Sequence, residues 1–167
     1  MGCWPGDNPD RSLIPRGLRG TVDLDTQVKL VIYWNTAERG QPPGIVEVAK
    51  HVGESADRVR ESYARLARNR LLVLEPDGET IRMAPPFSGV PTQHRVTAGG
   101  VSYYANCAWD AFGIPAALNR PAEVVSRCEQ SKESLRLTIG LDGPEPSDWL
   151  FHCEVPAAKW WQDIVFT

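Results

Sequence analysis

No run of ~18 or more apolar residues occurs in this chain of 167 residues, so the sequence holds no candidate membrane-spanning helix. An excess of positive charge is also missing. Eighteen Lys and Arg face 21 Asp and Glu, a formal net charge of −3, which argues against a general affinity for nucleic acid. Histidine is scarce, at three residues, and the four cysteines (Cys3, Cys107, Cys128, Cys153) form no C-x-x-C pair. A structural zinc site of ordinary spacing is therefore unsupported. Met1 to Gly20, rich in Gly, Pro, Asp and Arg, lacks the apolar core of a signal peptide and reads as a flexible leader. Internal repeats and low-complexity tracts are absent too. What remains is a soluble globular chain, 42% apolar and 23% charged, with a cytoplasmic location as the default and free thiols rather than disulfides as the expectation.

The patterning predicts an α+β fold in two lobes. From Leu24 to Glu38 the apolar residues follow a helical period, closed by Arg39-Gly40. A short helix is expected from Ile45 to His51, ending at Gly53, and a third from its cap Ser55 to about Arg70. Leu71–Leu74 and Thr80–Met83 flank Pro76-Asp77-Gly78, a hairpin signal. Three helices and a hairpin make residues 21–84 a winged-helix-like lobe. Its third helix carries Arg58, Arg60, Arg65, Arg68 and Arg70, either as a DNA-reading surface or as a solvated face beside Glu54, Asp57 and Glu61. The acidic balance favours the second.

Ala84 to Thr92 is a Pro-rich connector into a core lobe, 85–167, that is mixed but mainly antiparallel β with short helices. A second hairpin, His94–Thr97 and Val101–Tyr104, is expected around Ala98-Gly99-Gly100. The Cys107 segment then forms a short helix, stopped by Gly113-Ile114-Pro115. Strands follow at Glu123–Ser126, Ser134–Ile139 and Trp149–Val155, and a last helix at Ala157–Ile164.

The chemistry concentrates in Tyr103-Tyr104-Ala105-Asn106-Cys107-Ala108-Trp109-Asp110. With Asn106 as N-cap, Cys107 would sit in the first helical turn, where the helix dipole lowers a thiol pKa. Asp110, three residues on, shares its face at ~5–6 Å between Cβ atoms, close enough to take the thiol proton and return it to a leaving group. Trp109, Tyr103 and Tyr104 would raise the carboxylate pKa by excluding water. The plainer alternative stays open: a buried cysteine as filler, and an aspartate serving the helix dipole.

The stretch from Tyr103 to Pro115, together with Pro86-Phe87-Ser88-Gly89-Val90-Pro91-Thr92 and a winged-helix-like lobe before a mixed core, resembles the organomercurial (alkylmercury) lyase family from about Leu24 onward. The resemblance implies protonolysis of a carbon–mercury bond, with Cys107 matching the family's first cysteine and Asp110 its aspartate. Mercury is soft and prefers thiolate over oxygen or nitrogen ligands. It would enter as substrate on Cys107 and leave as Hg(II), with no organic cofactor. External thiols would assist product release, and a mercuric reductase would be the downstream partner. An organomercurial small molecule is the expected ligand, with neither membrane nor nucleic acid as partner.

The family also uses a later, second cysteine, directly after a segment resembling Trp160–Thr167, where this sequence ends. Three explanations stay open: a reading frame cut short, a UGA codon read as selenocysteine, or a genuine remnant; a premature stop, recoding included, is the expectation. Within the chain, Cys153 is a candidate second mercury ligand in a strand. Cys128, whose C-x-x-C partner position holds Ser131, reads as a structural thiol. Cys3 lies in the leader, and His94 and His152 read as hydrogen-bonded or solvent-facing. Competing functions are a winged-helix regulator sensing a thiophilic metal, and an inactive mercury-binding homologue.

Overall fold

The computed structural model describes residues 22–151, 153 and 155–165. The expected leader over residues 1–20, with Cys3, lies outside them, as does His152. Three helices open the described chain: α1 (Leu24–Arg39), α2 (Ile45–Val52) and α3 (Ala56–Arg68). Each start and stop has a local cause. Asp23 and Ser55 accept the backbone N–H groups of Thr26 and Arg58, while Gly40 and Gly53 end α1 and α2 in the left-handed conformation. At Gly40 (φ +83°) a Cβ would lie 2.1 Å from the Ser102 carbonyl oxygen, so only glycine lets the end of α1 meet the sheet.

The strands β1 (Val73–Leu74), β2 (Ile81–Ala84), β3 (Phe87–Ser88), β4 (Arg95–Ala98), β5 (Val101–Ala105), β6 (Ala122–Arg127), β7 (Ser134–Gly140) and β8 (Gly143–Pro144) form one antiparallel sheet. Their order is β1-β2-β3-β5-β4-β6-β7-β8. The Pro-rich connector is thus not a loop alone, since β3 lies within it and joins β2 to β5. Helix α4 (Ala108–Leu118) packs against β4, β5 and β6.

Buried apolar residues form two clusters. One lies among α1–α3 and β2, with Val28, Ile32, Val48, Val59 and Tyr63; the other lies between α4 and the sheet, with Phe87, Val96, Tyr103 and Ile114. Tyr33 of α1 packs against both. Tyr103 adds a second tie, its hydroxyl donating to the Ala37 carbonyl at 2.6 Å.

Several sequence expectations are corrected here. Helix α4 does not stop at Gly113–Pro115 but runs to Leu118, where Asn119 (φ +50°) turns the chain in the left-handed region. Gly113 serves a close approach instead, as a Cβ there would lie 3.1 Å from Pro86 Cβ. Among the described residues of Trp149–Val155 there is no strand; alternation sorts side chains to two faces but supplies no ladder partner. Ala157–Gln162 is a 3-10 helix rather than an α-helix, with Lys159 N–H bonded to the Pro156 carbonyl at 2.8 Å.

The arginines of α3 are mostly committed within the fold. Arg58 pairs with Glu54 at 3.0 Å, Arg60 with Glu79 at 2.6 Å and with Asp57, and Arg65 grips Asp25 at 2.8 Å. Arg70, just beyond the helix, stacks over Trp161 with 5.8 Å to the ring centroid. These pairs make much of this face internally compensated. No helix among the described residues is long and apolar enough to cross a membrane.

Candidate active site

Strand β5 delivers the chain to the site. Its last residue, Ala105, pairs with Phe87 of β3, so Asn106 and Cys107 emerge beside the Pro85-Pro86 link that precedes Phe87. Cys107 is itself the N-cap of α4 (φ −150°, ψ 179°), its carbonyl accepting the Ala111 N–H at 3.1 Å. Asn106 is therefore not the cap, contrary to the sequence expectation. Its amide is used sideways: Nδ2 donates to Asp110 Oδ2 at 2.8 Å and to the Pro86 carbonyl at 3.3 Å. Residue 110 lies in the first turn of α4, on the same side as the cap.

Burial governs the electrostatics. It raises the Asp110 carboxyl above its ordinary range, and the Asn106 amide opposes it. Cys107 departs from expectation: its thiol is pushed up rather than down. Burial is the leading cause. The Asp110 and Trp109 N–H groups at the helix start pull the other way, while the Asp110 carboxylate and the Cys153 thiolate add to the rise. Both groups are half-buried, and for each the partial loss of water makes the charged form the harder one to reach.

Of the aromatic groups expected to exclude water, Tyr103 is buried, Tyr104 is half-buried and Trp109 is not buried. Trp109 is 59% exposed, and the Tyr103 hydroxyl is occupied at Ala37. Tyr33, unforeseen, reaches in from α1. Its hydroxyl donates to the Pro85 carbonyl at 3.0 Å, and its ring meets Phe87 edge-on with centroids 6.4 Å apart. Its phenol is pushed up to about 12, by burial first and then by the Asp110 charge. No local motif signals Tyr33; Asn106 was visible, one residue before Cys107, but its cap-type chemistry suggested another task.

Cys153 is exposed. Phe151, two residues earlier, packs on Trp109 with ring centroids 6.0 Å apart, bringing this segment over the start of α4. The Cys153 thiol donates to the Val155 carbonyl at 2.9 Å, which also accepts Trp160 Nε1 at 2.7 Å. Cys128 stands apart in the β6–β7 turn, with the Ser131 N–H and hydroxyl lowering its pKa. His94 is hydrogen-bonded, Nδ1 lying 2.8 Å from Ser126 Oγ. Among the described residues no group of three or more His, Cys, Asp or Glu could hold a metal ion.

The family model for alkylmercury lyase (MerB) matches residues 87–167. Over these residues, just under half of the chain, the sequence is similar to the alkylmercury lyase family. Alkylmercury lyase of Streptomyces lividans is 32% identical over 108 residues, covering 62% of this chain and 46% of that protein. The alkylmercury lyase of Staphylococcus epidermidis is 28% identical over 103 residues, covering 62% and 45%. This chain thus spans about half the length of the curated alkylmercury lyases it matches. A crystal structure of the mercury-bound form of MerB2 superposes with a TM-score of 0.58 at 21% identity, covering 74% of this chain and 59% of that one. That likeness concerns the fold, an α+β arrangement.

Proposed function

We propose that the protein cleaves carbon–mercury bonds by protonolysis, with Cys107, Asp110 and Cys153 as its working groups. The observation that carries this reading is the start of α4, where the half-buried thiol of the capping Cys107 and the half-buried carboxyl of Asp110 in the first turn lie within the segment matched by the alkylmercury lyase family model. An organomercurial R–Hg–X is attacked by the Cys107 sulfur; the S–Hg bond forms, X leaves, and Asp110 accepts the thiol proton. Thiolate is the natural ligand for so soft a metal. Cys153, on the segment that Phe151 packs over the start of α4, releases its proton to solvent, adds a second sulfur to mercury and weakens its bond to carbon. Asp110 then protonates the departing carbon. The C–Hg bond breaks, R–H leaves, and Hg(II) stays on sulfur until external thiols carry it away, for a mercuric reductase to consume. The reaction calls for no organic cofactor.

Burial suits both halves of the cycle. The upward shift makes Asp110 a better-matched proton donor than an ordinary carboxyl, and the thiol, reluctant to ionise alone, loses its proton most readily to an adjacent base as mercury binds. The test is release of hydrocarbon and Hg(II) from an organomercurial in excess thiol. Cys107→Ser and Asp110→Ala are each expected to abolish release. Normal turnover by Asp110→Ala would remove the proposed proton donor.

A further inference from the structure

Asn106 does more than neighbour the site. Its Nδ2 group carries two hydrogens, one directed to Asp110 Oδ2 at 2.8 Å and the other to the Pro86 carbonyl at 3.3 Å. The second bond fixes the sense of the first. Rotating the amide by half a turn would set its oxygen against the Pro86 carbonyl and the carboxylate, two acceptors facing an acceptor. The backbone it leans on is held at both ends. Tyr33 donates to the Pro85 carbonyl at 3.0 Å, and Phe87 pairs with Ala84 and with Ala105. Gly113 lets α4 close onto Pro86 from the other side.

Because Oδ2 receives the amide hydrogen, a proton placed on Oδ2 would face a donor rather than an acceptor. From this geometry we infer that Asn106 is a positioning residue: it holds Asp110 so that the transferable proton resides on Oδ1 and leaves from there. The inference rests on the proton-donor role proposed above for Asp110. In the transfer, the Oδ1–H bond breaks as the C–H bond forms, the C–Hg electron pair passes to the new C–H bond, and the carboxylate left behind keeps the Asn106 hydrogen bond. Asn106 touches neither mercury nor carbon. In capture Asp110 acts as a base and either carboxylate oxygen can take the thiol proton, so the effect of Asn106 falls on delivery of the proton to carbon.

The experiment separates those steps with phenylmercury acetate under single-turnover conditions. Capture is read as loss of titratable thiol, and protonation as benzene in the headspace. For Asn106→Leu, close in size but without the amide, capture and KM stay within about twofold of wild type. Benzene release slows ~10- to 100-fold, the scale of a misplaced reacting group. Asn106→Gln, which keeps an amide donor, recovers part of the lost rate. Asn106→Ala, with no bulk to clash, gives the same split and keeps the test open should the leucine variant fail to fold. Unchanged benzene release in the Leu and Ala variants, or capture and release falling together, overturns the assignment. A wild-type protein that captures phenylmercury but yields no benzene overturns the lyase reading itself, and this inference with it.

Discussion

Replacing Tyr33 with phenylalanine removes one oxygen atom and tests how the helical part of the chain supports the site. The phenol donates to the half-buried Pro85 carbonyl at 3.0 Å, while its ring lies against both hydrophobic clusters and stays in place in the variant. Loss of the hydrogen bond, with the carbonyl left short of a donor, costs about 1–2 kcal/mol. For a chain of this size that is a fall in Tm of roughly 2–8 °C. The pH dependence makes the prediction sharper. Burial and the Asp110 charge raise the Tyr33 phenol from 10 to about 12. Below pH 10 it is protonated whether folded or unfolded, so the deficit of Tyr33→Phe is constant from pH 6 to 9. Between pH 10 and 12 the unfolded phenol ionises and the folded one resists, so wild type loses stability that the phenylalanine variant never had. The upper bound on that loss is ~3 kcal/mol, and ~2 kcal/mol after allowance for solvent screening of a half-buried group. The two curves therefore converge above pH 10. Urea denaturation of both proteins from pH 6 to 11.5 measures the gap directly. A gap that stays constant or widens above pH 10 refutes the claim that Tyr33 is desolvated against Asp110.

Other perturbations follow from the same geometry. Asp110→Asn keeps an acceptor for Asn106 and removes a carboxyl whose pKa is raised on folding. Its stability gain over wild type is small near pH 4, grows as pH rises through the folded-state pKa, and persists at neutral pH in denaturation curves; activity is lost. Cys153→Ser, at an exposed position, changes stability by less than ~0.5 kcal/mol. It slows carbon–mercury cleavage, and unchanged cleavage would exclude Cys153 as the second sulfur. Gly40→Ala forces a left-handed backbone and a clash with the Ser102 carbonyl, a cost of about 2–5 kcal/mol readable as a drop in Tm.

The helical lobe was largely legible because its signals are local. Ser55 caps α3 as its residue type suggests, Gly40 and Gly53 close their helices, and Asp77 organises the Pro76-Asp77-Gly78 turn by accepting the Glu79 and Thr80 N–H groups. The Cys107–Asp110 spacing was also enough to put both side chains at one end of α4. What failed was non-local. Asn106 has the composition of a cap, but the chain stays extended through Cys107, and the nearby carboxylate and Pro86 carbonyl claim its amide. The thiol pKa follows burial rather than helix position, because removal from water outweighs the N–H groups at a helix start. Trp149–Val155 alternates like a strand, yet β7 pairs on its outer side with Gly143 and Pro144, and Phe151 packs on Trp109 instead. Tyr33 joins the site through tertiary packing across the two clusters, which no window of sequence around Cys107 could reveal.

Phenylmercury cleavage in D2O, followed by headspace mass spectrometry, tests whether a proton from Asp110 replaces mercury on carbon. The expected product is monodeuterated benzene, formed in equal amount to Hg(II) and absent with Cys107→Ser or Asp110→Ala. Mercury bound to the protein without benzene, or benzene released equally by the Asp110→Ala variant, would contradict it.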